Sequence, residues 1–232
     1  MSGPNVEPGI RNVKYNVEGN DDCEGYYNDS NSKIGVVVVS EWWGLNKSIC
    51  TTSDIISKCG YKTLVPDIYR GKTAVDHEDA GHLMSGLNFQ SAVNDILGAI
   101  NFLRKNGCEK VVLSGFCMGG ALTLATCSSS DNVDLAIPFY GIPDQKYFPI
   151  DKIKCKVLLN VGSLDDLKGF SDPDYCLEIT EKAKKSGVDF DLKVWEGGKH
   201  AFINQDSEKY NEKLALEALK NMVDFISANI KL

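Results

Sequence analysis

Cys117 lies between two glycines, at a point where the sequence changes from a strand pattern to a helix pattern. The stretch 111–120 reads VVLSGFCMGG. A nucleophile on such a sharp turn projects from the end of the strand, and glycine two residues away on either side leaves room for the turn. The N–H groups at the start of the following helix favour the thiolate and are suited to bind a developing oxyanion. We therefore identify Cys117 as a candidate nucleophile; a structural turn around a buried thiol is the alternative.

A thiol nucleophile needs a base and a group that orients the base. In hydrolases built on a strand–turn–helix nucleophile, the nucleophile, the acid and the histidine follow in this order along the chain. Of the three histidines, only His200 lies downstream of Cys117, in a loop between a predicted strand and the last predicted helix. Asp165 and Asp166 follow another predicted strand and a glycine turn. We predict that Asp165 orients His200, with Asp166 as the alternative.

Glu41 directly follows the first predicted buried strand and precedes Trp42 and Trp43. A carboxylate in this position is a candidate for the same site. The alternative is that Glu41 caps the next helix while the two indoles pack in the core. The N–H of Trp42, and that of Met118 after the nucleophile, are suited to form an oxyanion hole.

Alternating strand and helix patterns are expected to position these residues. Short apolar runs such as 34–39 predict strands buried on both faces, which is typical of parallel sheets. Further strands are predicted over 61–65, 111–114, 133–139, 154–161 and 190–195, and helices over 46–59, 89–104, 117–127, 174–186 and 208–230. The loose alternation over 10–28 predicts a short antiparallel pair at the N-terminus. We expect a single α/β domain over 1–232, with a mainly parallel twisted sheet and helices on both faces.

Composition excludes several classes of function. The formal net charge of −7, without a cluster of Lys and Arg, argues against binding to nucleic acid or to an anionic membrane surface. The first ten residues lack the features of a signal peptide, and no apolar run is long enough to span a membrane, so we expect a cytoplasmic protein. Most of the eight cysteines lie in apolar periodic segments, which indicates buried, reduced thiols. Because no zinc-like Cys/His spacing occurs, we expect no metal. We also expect a monomer.

Taken together, these residues resemble the dienelactone hydrolase (carboxymethylenebutenolidase) family of the α/β-hydrolase superfamily. The similarity covers roughly 36–230 and rests on the segments EWWGLN (41–46), PDIY (66–69), GFCMGG (115–120), GSLD (162–165) and KHAF (199–202). A cysteine in the elbow is the most discriminating feature, because most α/β-hydrolases use serine there. The resemblance implies the α/β-hydrolase fold and the hydrolysis of a small lactone or activated ester, without a metal or organic cofactor.

The resemblance also implies roles for individual residues. Cys117 would be the nucleophile, His200 the base, and Asp165 the residue that orients the base. The thiolate would attack the substrate carbonyl to form a thioester, which water then cleaves. Glu41 would pair with the resting thiol and help to form the thiolate when substrate arrives.

Substrate selection is where the sequence departs from the family. Bacterial members hold the substrate carboxylate with two arginines, and in this chain His77 and Asn204 stand at those positions. Neither side chain offers a bidentate guanidinium. Arg70 or Lys72 is a candidate to compensate, and Phe202 is a further candidate for substrate contact. His77 lies in a charged stretch, so a solvated side chain is its alternative.

The substrate is therefore expected to be another small lactone, ester or thioester. Two other functions stay open at this point: a thioesterase or broad carboxylesterase on the same triad, and a non-catalytic member of the fold that binds a small molecule.

Overall fold

One sheet of eight strands runs through the computed structural model, which describes residues 10–232. The strands are β1 (Val13–Tyr15), β2 (Cys23–Asn28), β3 (Ile34–Val39), β4 (Lys62–Pro66), β5 (Lys110–Phe116), β6 (Leu135–Phe139), β7 (Lys156–Gly162) and β8 (Phe190–Trp195). The α-helices are α1 (Lys47–Lys58), α2 (His77–Ser85), α3 (Phe89–Lys105), α4 (Met118–Ser129), α5 (Pro173–Lys185) and α6 (Glu212–Asn229). Most of the segment used to predict the absence of a signal peptide lies outside the described residues.

The order of the strands in the sheet is β1-β2-β4-β3-β5-β6-β7-β8. All pairs from β4 to β8 are parallel, whereas β1 pairs with β2, and β2 with β4, in antiparallel fashion. This arrangement confirms the predicted fold class, including the short antiparallel pair at the N-terminus. Because parallel strands end at a common edge, the loops after β3, β5, β7 and β8 meet there.

Helices cover both faces of the sheet. The side chains of β3 alternate between two apolar cores: Val37 and Val39 pack with α3, α4 and α5, whereas Val36 and Val38 pack with α1 and α6. All four valines are fully buried. This two-sided burial explains why the strand is an unbroken run of β-branched residues.

Helix α2 was not predicted from the sequence. The helix is not recognisable from apolar periodicity, because Ala80 is its only buried residue and the helix has no apolar stripe. A local signal does exist: the Asp76 side chain caps the helix by accepting a hydrogen bond from the N–H of Asp79, at 2.9 Å. Glu78 and Asp79 in the first turn add favourable charge at the helix N-terminus.

Two further findings concern membranes and cysteines. Within residues 10–232, none of the helices combines the length and apolar character needed to cross a bilayer. All eight cysteines are free thiols and five of them are buried, in agreement with the predicted buried thiols.

The start of α4 is packed closely against the end of β3. A Cβ atom placed on Gly119 would lie 2.3 Å from the carbonyl oxygen of Val39. On the neighbouring side, a Cβ on Gly141 would lie 2.0 Å from the carbonyl oxygen of Cys117. Backbone atoms cannot yield as flexible side chains can, so these positions require glycine.

We predict that Gly119→Ala lowers the free energy of unfolding by about 1–3 kcal/mol, because the added methyl group overpacks the contact between α4 and β3. Urea denaturation measures the change. Gly81→Ala in α2 is the matched control, because its Cβ would meet nothing within 4 Å; helix propensity predicts that it raises stability by up to about 1 kcal/mol. Equal effects of the two substitutions would contradict the proposed backbone contact.

Candidate active site

Cys117 occupies the sharp turn between β5 and α4. Its backbone has φ 54° and ψ −116°, so this non-glycine residue adopts a positive φ that side chains disfavour. A strained conformation of this kind persists only where the surrounding structure enforces it, and such residues cluster at functional sites. The turn presents the thiol at the edge of the sheet where the strands end.

His200 and Asp165 lie in line with this thiol. The Sγ atom of Cys117 is 3.1 Å from Nε2 of His200, and Nδ1 of His200 is 2.8 Å from Oδ2 of Asp165. A carboxylate only accepts hydrogen bonds, so Nδ1 carries the proton of the neutral ring and the Nε2 lone pair faces the thiol. Asp165 and His200 are both buried, whereas Asp166 is exposed. The structure therefore brings together Cys117, His200 and Asp165, and leaves Asp166 outside.

The loops after β7 and β8 are joined to each other, which sets the distance between Asp165 and His200. The N–H of Leu164 donates to the carbonyl of Gly198 at 2.8 Å. A Cβ on Gly162 would lie 2.2 Å from that same carbonyl oxygen. The acid and the histidine thus lie on two loops that are in backbone contact.

Ser171 is a polar contact that sequence reasoning missed. Its Oγ lies 2.9 Å from Oδ1 of Asp165 and 3.1 Å from Nδ1 of His200. The residue belongs to the loop between β7 and α5, six positions after the acid. Nothing in the local sequence marks this serine, because only the folding of the loop brings it to the imidazole.

Glu41 is buried beside the thiol but does not hydrogen-bond to it. Its Oε1 accepts from the hydroxyl of Tyr140 at 3.1 Å, and its Oε2 accepts from Nδ2 of Asn204 at 2.5 Å. This arrangement corrects the expectation that Glu41 pairs with the resting thiol of Cys117. Burial raises the pKa of Glu41, while the hydrogen bond from Asn204 and the nearby His200 act in the opposite direction.

Tyr140, which follows β6, was also missed from the sequence. It is fully buried, has a φ of 37°, and places its ring 5.1 Å from the imidazole of His200. Its hydroxyl holds Glu41 while its ring packs against the proposed base. Tyr140 thus connects the loop after β3 with the loop after β8.

The pKa of the Cys117 thiol lies well above its ordinary value, contrary to the expectation from its place before a helix. Burial is the largest cause, and the negative charge of Glu41 is the second. The N–H of Met118 lowers the pKa but does not outweigh them. The resting sulfur is therefore a protonated thiol, whose proton His200 is placed to accept.

The two predicted oxyanion donors flank the nucleophile. The N–H of Met118 interacts with the sulfur of Cys117 itself. The N–H of Trp42 makes no hydrogen bond to any residue within 10–232, in a turn closed by the N–H of Gly44 donating to the carbonyl of Glu41 at 3.1 Å. Within the described residues neither N–H group has a backbone acceptor, as the predicted oxyanion hole requires.

Three of the four residues predicted to bind substrate are engaged elsewhere. The guanidinium of Arg70 forms an ion pair with Asp95 and donates to the carbonyl of Asp22, so it does not compensate for a missing arginine. Phe202 is fully buried and packs on Tyr140, with ring centroids 5.7 Å apart, so it belongs to the core.

Asn204 has both ends of its amide occupied, one by Glu41 and the other by the Ser48 hydroxyl, which donates to Oδ1 at 2.9 Å. It therefore positions Glu41, and one N–H of its amide is committed to that carboxylate. His77 is the exception among the four residues. Its ring lies edge-on to Trp42 and Trp43, with centroids 5.8 Å and 5.0 Å away, next to the predicted oxyanion donor.

The chain is similar to several known proteins. The profile of the Dienelactone hydrolase family matches residues 24–230. Protein usf of Aquifex pyrophilus is 33% identical over 184 residues, which cover 75% of this chain and 78% of that protein. A carboxymethylenebutenolidase of Pseudomonas putida is 25% identical over 206 residues, covering 83% and 84%. Among solved structures, a dienelactone hydrolase-like promiscuous phosphotriesterase from metagenomic libraries has a TM-score of 0.80 at 19% identity, covering 94% and 97%.

We predict that Glu41→Gln speeds alkylation of Cys117 by iodoacetamide several-fold at pH 7.5. Removing the neighbouring negative charge lowers the thiol pKa, and a change of one unit alters the thiolate fraction about tenfold. Peptide mass spectrometry follows the modification of Cys117. Asp166→Asn removes an exposed charge from the same edge and should leave the rate unchanged. A slower or unaltered rate in Glu41→Gln would show that Glu41 does not hold the sulfur protonated.

Proposed function

Because the chain belongs to the dienelactone hydrolase family and is a carboxylic ester hydrolase, we propose that it cleaves small lactones or activated esters through a thioester on Cys117. The observation that carries this proposal is the unbroken hydrogen-bonded line from Sγ of Cys117 through His200 to Asp165, with separations of 3.1 and 2.8 Å. The positive φ of Cys117 supports it, because this strain aims the thiol toward the solvent edge of the sheet.

The reaction begins with proton transfer from Sγ of Cys117 to Nε2 of His200. The sulfur attacks the carbonyl carbon, and the N–H groups of Trp42 and Met118 stabilise the negative oxygen. The carbon–oxygen bond to the leaving group then breaks, and His200 returns its proton to that oxygen. Water, deprotonated by His200, attacks the thioester, releases the acid and restores the thiol. Asp165 holds the imidazole in the required tautomer and stabilises the imidazolium that forms twice per cycle.

Glu41 has an electrostatic role in this proposal. Its charge raises the pKa of the Cys117 thiol and so disfavours the free thiolate between turnovers. Thiolates are the form that oxidants attack, so a protonated resting sulfur resists oxidation. The imidazole of His200, with Nε2 3.1 Å from the sulfur, supplies the proton acceptor.

We further propose that the preferred substrates are uncharged and apolar near the reacting carbonyl. Among the largest influences on the sulfur are two carboxylates, Glu41 and Asp165, and one lysine, Lys209. The guanidinium of Arg70 is neutralised by Asp95. A substrate carboxylate near the sulfur would therefore meet more negative than positive charge.

Exposed apolar side chains flank Asp165 in the loop after β7. Leu164, immediately before Asp165, is 55% exposed, and Leu167, two residues after it, is 40% exposed. Exposed apolar groups in a loop that carries a site residue favour an apolar acyl or leaving group.

Cys117→Ala and His200→Ala are each expected to lower kcat/KM for 4-nitrophenyl butyrate by about 10³-fold or more, because the nucleophile and its base act as one unit. Absorbance of released nitrophenolate measures the rate, and circular dichroism with a thermal melt verifies the fold. Cys59→Ala removes an exposed thiol and should retain full activity. Near-wild-type turnover in either active-site variant would end the assignment of the triad.

The proposed substrate class predicts at least a tenfold higher kcat/KM for 4-nitrophenyl butyrate than for the 4-nitrophenyl monoester of succinic acid. The two acyl chains are similar in length and differ in the terminal carboxylate, which like charge should repel. Raising the ionic strength should narrow the difference, because salt screens the repulsion. Equal or faster cleavage of the anionic ester would overturn the substrate class and leave the triad intact.

A further inference from the structure

Ser171 is fully buried and contacts two residues of the proton-transfer line, Asp165 and His200. Its hydroxyl lies 2.9 Å from Oδ1 of Asp165 and 3.1 Å from Nδ1 of His200. We propose that Ser171 is a positioning residue for the hydrolase, which fixes the Asp165 carboxylate and the tautomer of His200. This inference rests on the proposed function, because it concerns the triad assigned there.

Counting hydrogens fixes the direction of each bond. Asp165 only accepts, so the proton on Nδ1 of His200 points to Oδ2 at 2.8 Å. The single hydroxyl hydrogen of Ser171 then goes to Oδ1, and an oxygen lone pair faces the Nδ1 proton. In the opposite tautomer the Nδ1 lone pair would face a carboxylate oxygen, which is repulsive. Asp165 thus sets the tautomer that leaves Nε2 open to the thiol of Cys117, and Ser171 acts on it by holding the carboxylate through Oδ1.

The backbone around Ser171 holds its hydroxyl in place. The N–H of Ser171 donates to the carbonyl of Leu167 at 3.0 Å, and the N–H of Ile142 donates to the carbonyl of Phe170 at 3.1 Å. The next residue, Asp172, caps α5 by accepting from the N–H of Tyr175 at 3.3 Å. The serine therefore belongs to a fixed loop that continues into a helix.

Among residues 10–232, one other donor supports the same carboxylate oxygen. The N–H of Leu167 reaches Oδ1 of Asp165 at 3.2 Å, a longer bond than that from Ser171. Without the hydroxyl, a buried carboxylate oxygen keeps this single weak partner, and both Asp165 and the imidazole gain freedom to rotate. Because Ser171 has no solvent-exposed surface, its loss should affect the chemical step more than substrate binding.

The test compares Ser171→Ala with Ser53→Ala in the full chain, using 4-nitrophenyl butyrate. Ser53 is the matched control, because it is also a fully buried serine and its Oγ hydrogen-bonds to Thr63 at 2.8 Å, between α1 and β4. We expect kcat to fall about 10- to 100-fold in Ser171→Ala with KM nearly unchanged, the effect of losing a hydrogen bond to a charged group. Ser53→Ala should keep its kcat. A wild-type kcat in Ser171→Ala, or a loss confined to KM, would overturn the inference.

A double-mutant cycle with Asp165→Asn separates positioning from a general structural effect. If Ser171 acts through Asp165, adding Ser171→Ala to Asp165→Asn should change kcat less than about threefold. An equal loss in both backgrounds would contradict the proposed route. Should Ser171→Ala fail to fold, Ser171→Cys replaces it, since a thiol is similar in shape and a weaker donor. In that variant a several-fold lower kcat supports the inference, and a wild-type kcat overturns it.

This design also distinguishes the inference from the proposed function. If Asp165→Asn itself retains wild-type activity, the triad assignment fails. If Asp165→Asn loses activity and Ser171→Ala does not, only the role of Ser171 fails.

Discussion

The approach of α4 to the end of β3 leaves no room for a side chain at Gly119, and the position of Cys117 depends on this contact. A Cβ there would come within 2.3 Å of the Val39 carbonyl oxygen, and a Cβ on Gly115 within 2.2 Å of the Gly119 carbonyl oxygen. The chain must therefore turn tightly between β5 and α4, and Cys117 adopts a strained backbone conformation with a positive φ. One steric constraint thus links β3, α4 and the proposed nucleophile Cys117. The other loops of the site must meet at this point.

Electrostatics around the sulfur complement this steric arrangement. A nucleophile before a helix N-terminus would ordinarily gain thiolate character, but burial and the charge of Glu41 act against it here. Neutral donors on Tyr140 and Asn204 hold Glu41 without removing its charge. In the proposed mechanism this thiol depends on His200 for activation, which ties reactivity to the geometry of the complete site.

Much of this architecture could be predicted from the sequence, because local patterns encode it. The β-branched run of β3 predicts a strand buried on both faces, and the glycines around Cys117 predict the turn. The chain order of cysteine, acid and histidine pointed to the groups that lie in line. Helix α2 escaped prediction because it is capped and charged without an apolar stripe.

What could not be predicted depends on how loops fold against one another. Ser171 and Tyr140 contact His200 across long stretches of chain, and no local pattern marks them. The same holds for Arg70, which lies in the loop after β4 and whose partner Asp95 lies on α3. Its position in the sequence suggested a substrate contact, whereas three-dimensional proximity gives it a structural ion pair. Residue type and spacing identify candidate chemistry, and tertiary contacts decide which candidates are available for it.

Trapping the acyl-enzyme is the most direct test of the central claim. The protein is mixed with excess 4-nitrophenyl butyrate, quenched in acid within the first turnovers, and analysed by intact-protein and peptide mass spectrometry. We predict one added butyryl group per chain, located on Cys117 and removed by hydroxylamine, as expected of a thioester. Acylation of a different residue, or turnover without any acylated protein under conditions where acyl transfer outpaces hydrolysis, would contradict the account.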